Sequence, residues 1–191
     1  MSPFSRNLFP VLWLAWAAYW LIASRHVKAV VRSEPPWSRL LHIIPLAAAT
    51  LLLALPVMPI AFLNEKILFP RATWPFWAGA ALTAAGLAFT IWARLNIGKN
   101  WSAIVTIKED HELITSGPYR IVRHPIYTGL LLGFAGSALA RCSWAGVLAL
   151  AIACAALWRK LRLEERGLRG HFGDRYAAYS RRVAALIPGV L

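Results

Sequence analysis

The sequence predicts an all-α integral membrane bundle of about five transmembrane helices, and three observations carry that expectation. Hydrophobic residues make up 59% of the chain and charged residues only 15%, against roughly 25% charged in a typical soluble domain. The apolar residues gather into five blocks, each close to the roughly 20 residues that a helix needs to cross a bilayer. Lys and Arg fall between those blocks with a strong bias to alternate connections.

Block by block, residues 8–24 are uncharged and carry Trp13, Trp16 and Trp20. Residues 40–63 are interrupted by His42, Pro45, Pro56 and Pro59. Prolines are tolerated in membrane helices when neighbours satisfy the freed carbonyls, so a kinked second helix is expected. Residues 72–93 contain no charge. Residues 125–140 and 142–158 are separated only by Arg141. Together they are too long for one span and singly a little short, which predicts a tight helical hairpin turning near Arg141. Ten tryptophans suit the aromatic belts of a membrane protein.

An external N-terminus would leave segments 25–39, 94–124 and 159–191 in the cytoplasm. Those segments hold 17 of the 21 Lys and Arg residues; Arg6, Lys66, Arg71 and Arg141 fall on the other side. That division satisfies the positive-inside rule. It predicts a multi-pass protein with its N-terminus outside and its C-terminus cytoplasmic, in the inner membrane if the source is bacterial. The chain divides into residues 1–93, with three spans, and residues 94–191, which carry the polar motifs. The first apolar run is long for a signal peptide, and no cleavage site is expected after it.

A net charge of +13 could suggest a nucleic-acid partner. Nucleic-acid readers spread basic residues over a soluble face, whereas here they cluster between apolar blocks, so none is expected. Cys142 and Cys154 lack metal-ligand spacing and read as packing residues; no metal site and no obligate protein partner are expected. A transporter should carry ionisable residues within its spans, and beyond His42 these spans hold almost none. A lipid-binding scaffold that uses the basic tail is the other non-enzymatic alternative.

Chemistry-bearing residues concentrate in the 94–124 loop and the C-terminal tail. Gly117-Pro118 marks a turn, and Pro125 suits the first turn of the fourth helix. Arg123 and His124 then stand at the membrane boundary, with Tyr127 one turn deeper. An interfacial anchor explains such a cluster, but His, two Arg, two Tyr and a Gly-Pro turn within so short a stretch also suit a site. If the fifth helix continues past residue 158, Lys160 and Glu164 share a face. Tyr176 and Tyr179 would form one face of an amphipathic segment lying on the bilayer or over the site. Gly129 with Gly133, and Gly79 with Gly86, would permit close helix approach.

His111-x-Leu113-Ile114-Thr115-Ser116-Gly117-Pro118-Tyr119, followed by Arg123-His124-Pro125-x-Tyr127-x-Gly129, resembles the isoprenylcysteine carboxyl methyltransferase family. More broadly, the set is similar to integral membrane methyltransferases that include phospholipid N-methyltransferases. Glu164-Glu165-x-x-Leu168, Phe172-Gly173-x-x-Tyr176-x-x-Tyr179, Arg182-Val183 and Ile187-Pro188 continue the resemblance in order, so that it covers residues 100–188. It implies S-adenosylmethionine held between the loop and a C-terminal helix. The implied cofactor contacts are Thr106, His111, Glu112, Leu113, Ile114, Tyr119, His124, Pro125, Ile126, Tyr127 and Glu164. Lys160 stands where the family has a substrate-side arginine, with Arg159 and Arg162 as alternatives for that role.

A carboxylate acceptor is ionised at neutral pH and needs no general base, but it needs an orienting cation. Arg123, Lys160 and Arg159 are the candidates, and Glu164 or Glu165 would neutralise a positive part of the cofactor. Arg123 and Glu165 are the residues expected to act in catalysis. The expected function is therefore S-adenosylmethionine-dependent methylation of a lipophilic acceptor, an isoprenylcysteine-type carboxyl group first and a phospholipid ethanolamine as the alternative. Membrane lipids are the expected surroundings of that acceptor.

Overall fold

The computed structural model describes residues 3–25, 30–33, 35–54, 61–65, 67, 73–98, 101, 106–108 and 112–190. Among them are six α-helices: α1 (Pro3–Ala23), α2 (Pro36–Ala54), α3 (Trp74–Ile97), α4 (Pro125–Arg141), α5 (Trp144–Phe172) and α6 (Asp174–Arg182). Each of the first five overlaps one of the five apolar blocks, and the chain is an integral membrane helical bundle. By length and composition α2, α3 and α5 are able to cross a membrane on their own; the apolar part of α1, Asn7–Ala23, is shorter. So is α4, at 17 residues.

The second helix departs from its expected bounds. It starts at Pro36, runs through Pro45 and ends at Ala54, while Pro56 and Pro59 lie outside the described residues. Proline has no N–H to lose at the first helical position, which lets α2 begin four residues before its apolar block. The sequence reading also missed a two-stranded antiparallel ribbon of β1 (Val30–Ser33) and β2 (Thr106–Lys108), with Ser33 opposite Thr106. The ribbon ties the α1–α2 connection to the α3–α4 connection.

Small residues set how the bundle packs. A Cβ on Gly79 would stand 2.4 Å from the Gly136 carbonyl, and one on Gly86 would stand 2.5 Å from that of Gly129. Thus α3 and α4 meet backbone to backbone, the close approach that membrane helices use in place of a hydrophobic driving force. Thr83 donates to the Gly133 carbonyl across this seam at 3.2 Å. The α1 indoles complete it, Trp13 Nε1 donating to Ser137 Oγ at 3.1 Å and Trp16 Nε1 to Thr90 Oγ1 at 2.7 Å.

The expected hairpin is present, with Cys142 in the left-handed region (φ 51°, ψ 44°) between α4 and α5. Arg141 locks it by donating to the Leu53 carbonyl at 3.1 Å and to Asn64 Oδ1 at 2.9 Å, so that a cation meets the C-terminal end of α2. At the opposite end, α5 runs on from Trp158 to Phe172, roughly 21 Å at 1.5 Å per residue. That extension carries both glutamates out of the apolar layer.

Candidate active site

The α3–α4 loop is shaped by a glycine and two prolines. Gly117 holds φ +56°, and a Cβ there would lie 2.2 Å from Asn96 Oδ1, so only glycine lets the loop lie on the end of α3. Pro118 opens the 3-10 turn Gly117–Arg120, which buries Tyr119 and is followed by buried Val122. Pro125 opens α4 with His124 as its N-cap. Arg123 and His124 thus stand together above the first turn of α4.

The α5 extension supplies the opposing wall. Glu165 accepts from Arg123 Nε at 2.9 Å and Nη2 at 2.6 Å, from the Tyr176 hydroxyl at 3.3 Å and from Arg169 at 3.4 Å. Glu164 accepts from the Tyr127 hydroxyl. Buried His124 lies between the two carboxylates, with Nδ1 3.6 Å from Glu164 and Nε2 3.5 Å from Glu165. Its ring is parallel to that of Tyr127, and the Lys160 Nζ sits 5.5 Å from the centre of the Tyr127 ring.

The tail closes the cluster from a third side. Arg123 Nη1 donates to the carbonyls of Ser180, at 3.1 Å, and Val183. Four of the five guanidinium N–H donors are therefore spent on Glu165 and the tail. The Tyr179 hydroxyl donates to the Tyr119 carbonyl at 2.6 Å. Beside the cluster lies a cleft lined by Glu112, Leu113, Ile114, Tyr119 and Arg123 from the loop, Ile97 from α3, Leu168 from α5, and Tyr176 and Tyr179 from α6.

Electrostatics follow from this packing. Burial opposes a charged His124 imidazole, but the flanking Glu164 and Glu165 outweigh it and raise the pKa above the ordinary value. Burial would likewise raise Glu165, yet His124 and Arg123 hold it down at about 2. Glu164 is lowered despite burial by His124, Lys160 and Tyr127. Burial pushes Tyr179 up to about 12, against the pull of Arg123; Tyr119 and Tyr176 are also raised, chiefly by burial. At neutral pH the tyrosines are donors and the carboxylates are ionised acceptors.

The structure therefore sorts the expected site residues into two adjoining groups joined by Arg123. Glu112, Leu113, Ile114 and Tyr119 belong to the cleft; His124, Tyr127, Lys160, Glu164 and Glu165 belong to the polar cluster. Pro125 is buried at the start of α4, and Ile126 packs on the apolar cluster of Tyr127, Leu157, Leu161 and Ala185. Arg159 is engaged by α2, donating to the Ser38 carbonyl and Oγ at 3.0 Å each. Only the backbone of Thr106 is described, paired in β2, and His111 lies outside the described residues. Ile97 and the tail carbonyls were missed: an apolar residue at a helix end and a main-chain acceptor carry no sequence signal. Tyr176 and Tyr179, expected on one face of an amphipathic segment, both line the cleft.

Residues 74–175 match the phospholipid methyltransferase family, a stretch that begins with α3 and ends in α6. The chain is 28% identical over 147 residues to protein-S-isoprenylcysteine O-methyltransferase B of Arabidopsis thaliana, covering 72% of this chain and 73% of that one. It is 30% identical over 147 residues to the corresponding protein A of the same plant, with the same coverage. A further relative is the cobalt-zinc-cadmium resistance protein CzcN of Cupriavidus metallidurans, 32% identical over 132 residues, 68% of this chain and 60% of that one. The chain belongs to the phospholipid methyltransferase family, alongside its isoprenylcysteine methyltransferases, and is an integral membrane methyltransferase.

Proposed function

We propose that the chain uses S-adenosylmethionine to methylate the carboxylate of a lipophilic, isoprenylcysteine-type acceptor. The observation that carries this reading is the charge balance of the polar cluster. Arg123, Arg169 and Lys160 surround two carboxylates with His124 between them, and both carboxylates are already engaged. A net positive cluster suits an anionic acceptor. An ethanolamine nitrogen would have to lose a proton, and a carboxylate held at about 2, as Glu165 is, is a weak base for that work.

The cleft lining fits the donor. Leu113, Ile114 and the rings of Tyr119, Tyr176 and Tyr179 offer apolar and aromatic surface to a base, and Glu112 offers a carboxylate to an amino group. Bound S-adenosylmethionine supplies a methyl carbon on a positive sulfur. Thr106, His111, Glu112–Ile114, Tyr119, His124–Tyr127 and Glu164 are the proposed contacts. Lys160 is the proposed cation for the acceptor carboxylate, with Arg159 behind it braced on α2. Arg123 and Glu165 act as a positioning pair that fixes loop, α5 and tail. With the donor held there, the acceptor carboxylate oxygen would attack the methyl in line, the O–C bond forming as the S–C bond broke and the electron pair leaving on sulfur. Holding the two partners at attack distance supplies most of the acceleration.

The proposed orientation puts this site and the C-terminus in the cytoplasm, where the loop charges fall. Titration calorimetry of the purified chain with S-adenosylmethionine checks the reading: binding heat is expected for the wild type and a strong loss for Glu164→Ala and Arg123→Ala. Absence of heat for the wild type overturns it. Labelled cofactor in native membranes then identifies the acceptor; base-labile label is expected, and label in phosphatidylethanolamine derivatives would select the amine instead.

A further inference from the structure

Beyond α6 the backbone straightens at Val183 and runs down beside α4. The Ala184 carbonyl accepts from Arg123 N at 2.8 Å, and that of Ala185 from His124 N at 3.0 Å. The Leu186 carbonyl accepts from Thr128 Oγ1 at 2.8 Å. The Ile187 carbonyl accepts from Val190 N at 3.0 Å, closing a turn with Pro188 second and Gly189, at φ +73°, third, the pattern of a type II turn. Ala185 and Leu186 pack on Tyr127, Leu157 and Leu161, while Ile187 and Val190 are 59% and 55% exposed.

The depth of this segment follows from the length of α4. Its 17 residues span about 25 Å, less than the roughly 30 Å of a hydrocarbon core, and the chain turns back at once at Cys142. A span that short has no length to leave outside the bilayer, so Thr128, in its first turn, sits within the membrane boundary. Leu186, bonded to Thr128, sits at the same level.

We propose that residues 184–190 form a re-entrant finger in the bilayer interface beside α4, on the side of the polar cluster. Ile187 and Val190 face the acyl chains, and exposed Arg181 and Arg182, at the end of α6, meet lipid phosphates. Non-helical backbone survives near hydrocarbon only when its polar groups are satisfied, and four consecutive carbonyls here accept hydrogen bonds. Proline at 188 removes one N–H, and the remaining ones keep the finger at interfacial depth, where water and headgroups still reach. Lipid contact thus holds the same strand that pairs with Arg123 and His124.

Two measurements test this independently of the methylation chemistry. The native chain in proteoliposomes is irradiated with a phospholipid bearing a diazirine in its acyl chain. Trypsin, cutting after Arg182, then releases residues 183–191. Lipid adducts on that peptide are expected; their absence, with α4 peptides labelled in the same sample, overturns the finger. Second, a nitroxide at Ile187→Cys in a Cys142→Ser, Cys154→Ser background should collide more with oxygen than with a water-soluble nickel complex. The ratio should be reversed at Arg175→Cys, on exposed α6. Equal nickel access at the two positions also overturns it.

Discussion

Glu165 sits where the α3–α4 loop, α5 and α6 meet, and it accepts from groups on all three. The side chains of the Arg123–Glu165 pair are only 9% and 8% exposed. Removing one member of such a pair leaves a buried charge and costs about 3–5 kcal/mol, whereas replacing both with apolar residues is far milder. Glu165→Leu is therefore expected to be much less stable than the Arg123→Met, Glu165→Leu double variant, as read by denaturation in detergent. The double variant stays below the wild type, because the carbonyls of Ser180 and Val183 lose their donor. His124 gives the same site a pH dependence. Its raised pKa means that its contribution is complete below about 6.5 and is lost as pH rises through the folded value. Glu165, held at about 2, contributes fully above its ordinary 4.5 and loses its contribution as pH falls towards 2. The wild type should accordingly lose more thermal stability between pH about 6 and about 9 than His124→Gln does; equal losses would remove His124 as the cause.

At the scale of elements, the small-residue pattern on the third and fourth helices was legible, and the register was not. Gly129 and Gly133 both bring their backbone to α3, a Cβ on Gly86 standing 2.5 Å from Gly129 O and 2.8 Å from Gly133 N, but a Cβ on Gly133 itself would meet the Trp13 ring edge at 3.2 Å. Sequence spacing places residues on one face of a helix and leaves open which helix that face meets. Gly129→Ala would put a Cβ 2.5 Å from the Gly86 carbonyl, an overpacking that costs roughly 1–3 kcal/mol, or about 2–4 °C of melting temperature for each kcal/mol. Gly133→Ala asks only an indole edge to shift by a few tenths of an ångström. Melting in detergent should drop clearly for the first and little for the second. The β1–β2 ribbon escaped sequence reading because strands of four and three residues are too short for an alternating pattern. Its apolar and β-branched pairs, Val30-Val31 and Thr106-Ile107, are the signal that was there. The bounds of α2 escaped for another reason: hydropathy marks where a helix meets lipid, and Pro36 starts this one outside that layer.

For the whole molecule, topology and site depend on each other. Both halves of the polar cluster come from connections at one end of the bundle, the 112–124 loop and the chain beyond Trp158. They face each other only because an even number of spans, α4 and α5, separates them. The hairpin at Cys142 is therefore a condition of the site, and its residue-level signal was a single arginine between two apolar runs. Arg141 proves to hold that turn by gripping Leu53 and Asn64, on the side where the fewest cations lie. In the proposed orientation, which follows from 17 against 4 Lys and Arg residues and the positive-inside rule, the polar cluster would face the cytoplasm. Alkaline phosphatase, which is active only outside the cytoplasm, should be inactive when fused after Leu191 and active when fused into the Arg141–Ser143 turn; green fluorescent protein should give the converse pattern. The opposite pattern would reverse the bundle and put the site outside. Activity of both phosphatase fusions would break the hairpin, and with it the meeting of Arg123 and Glu165 on which the site is built.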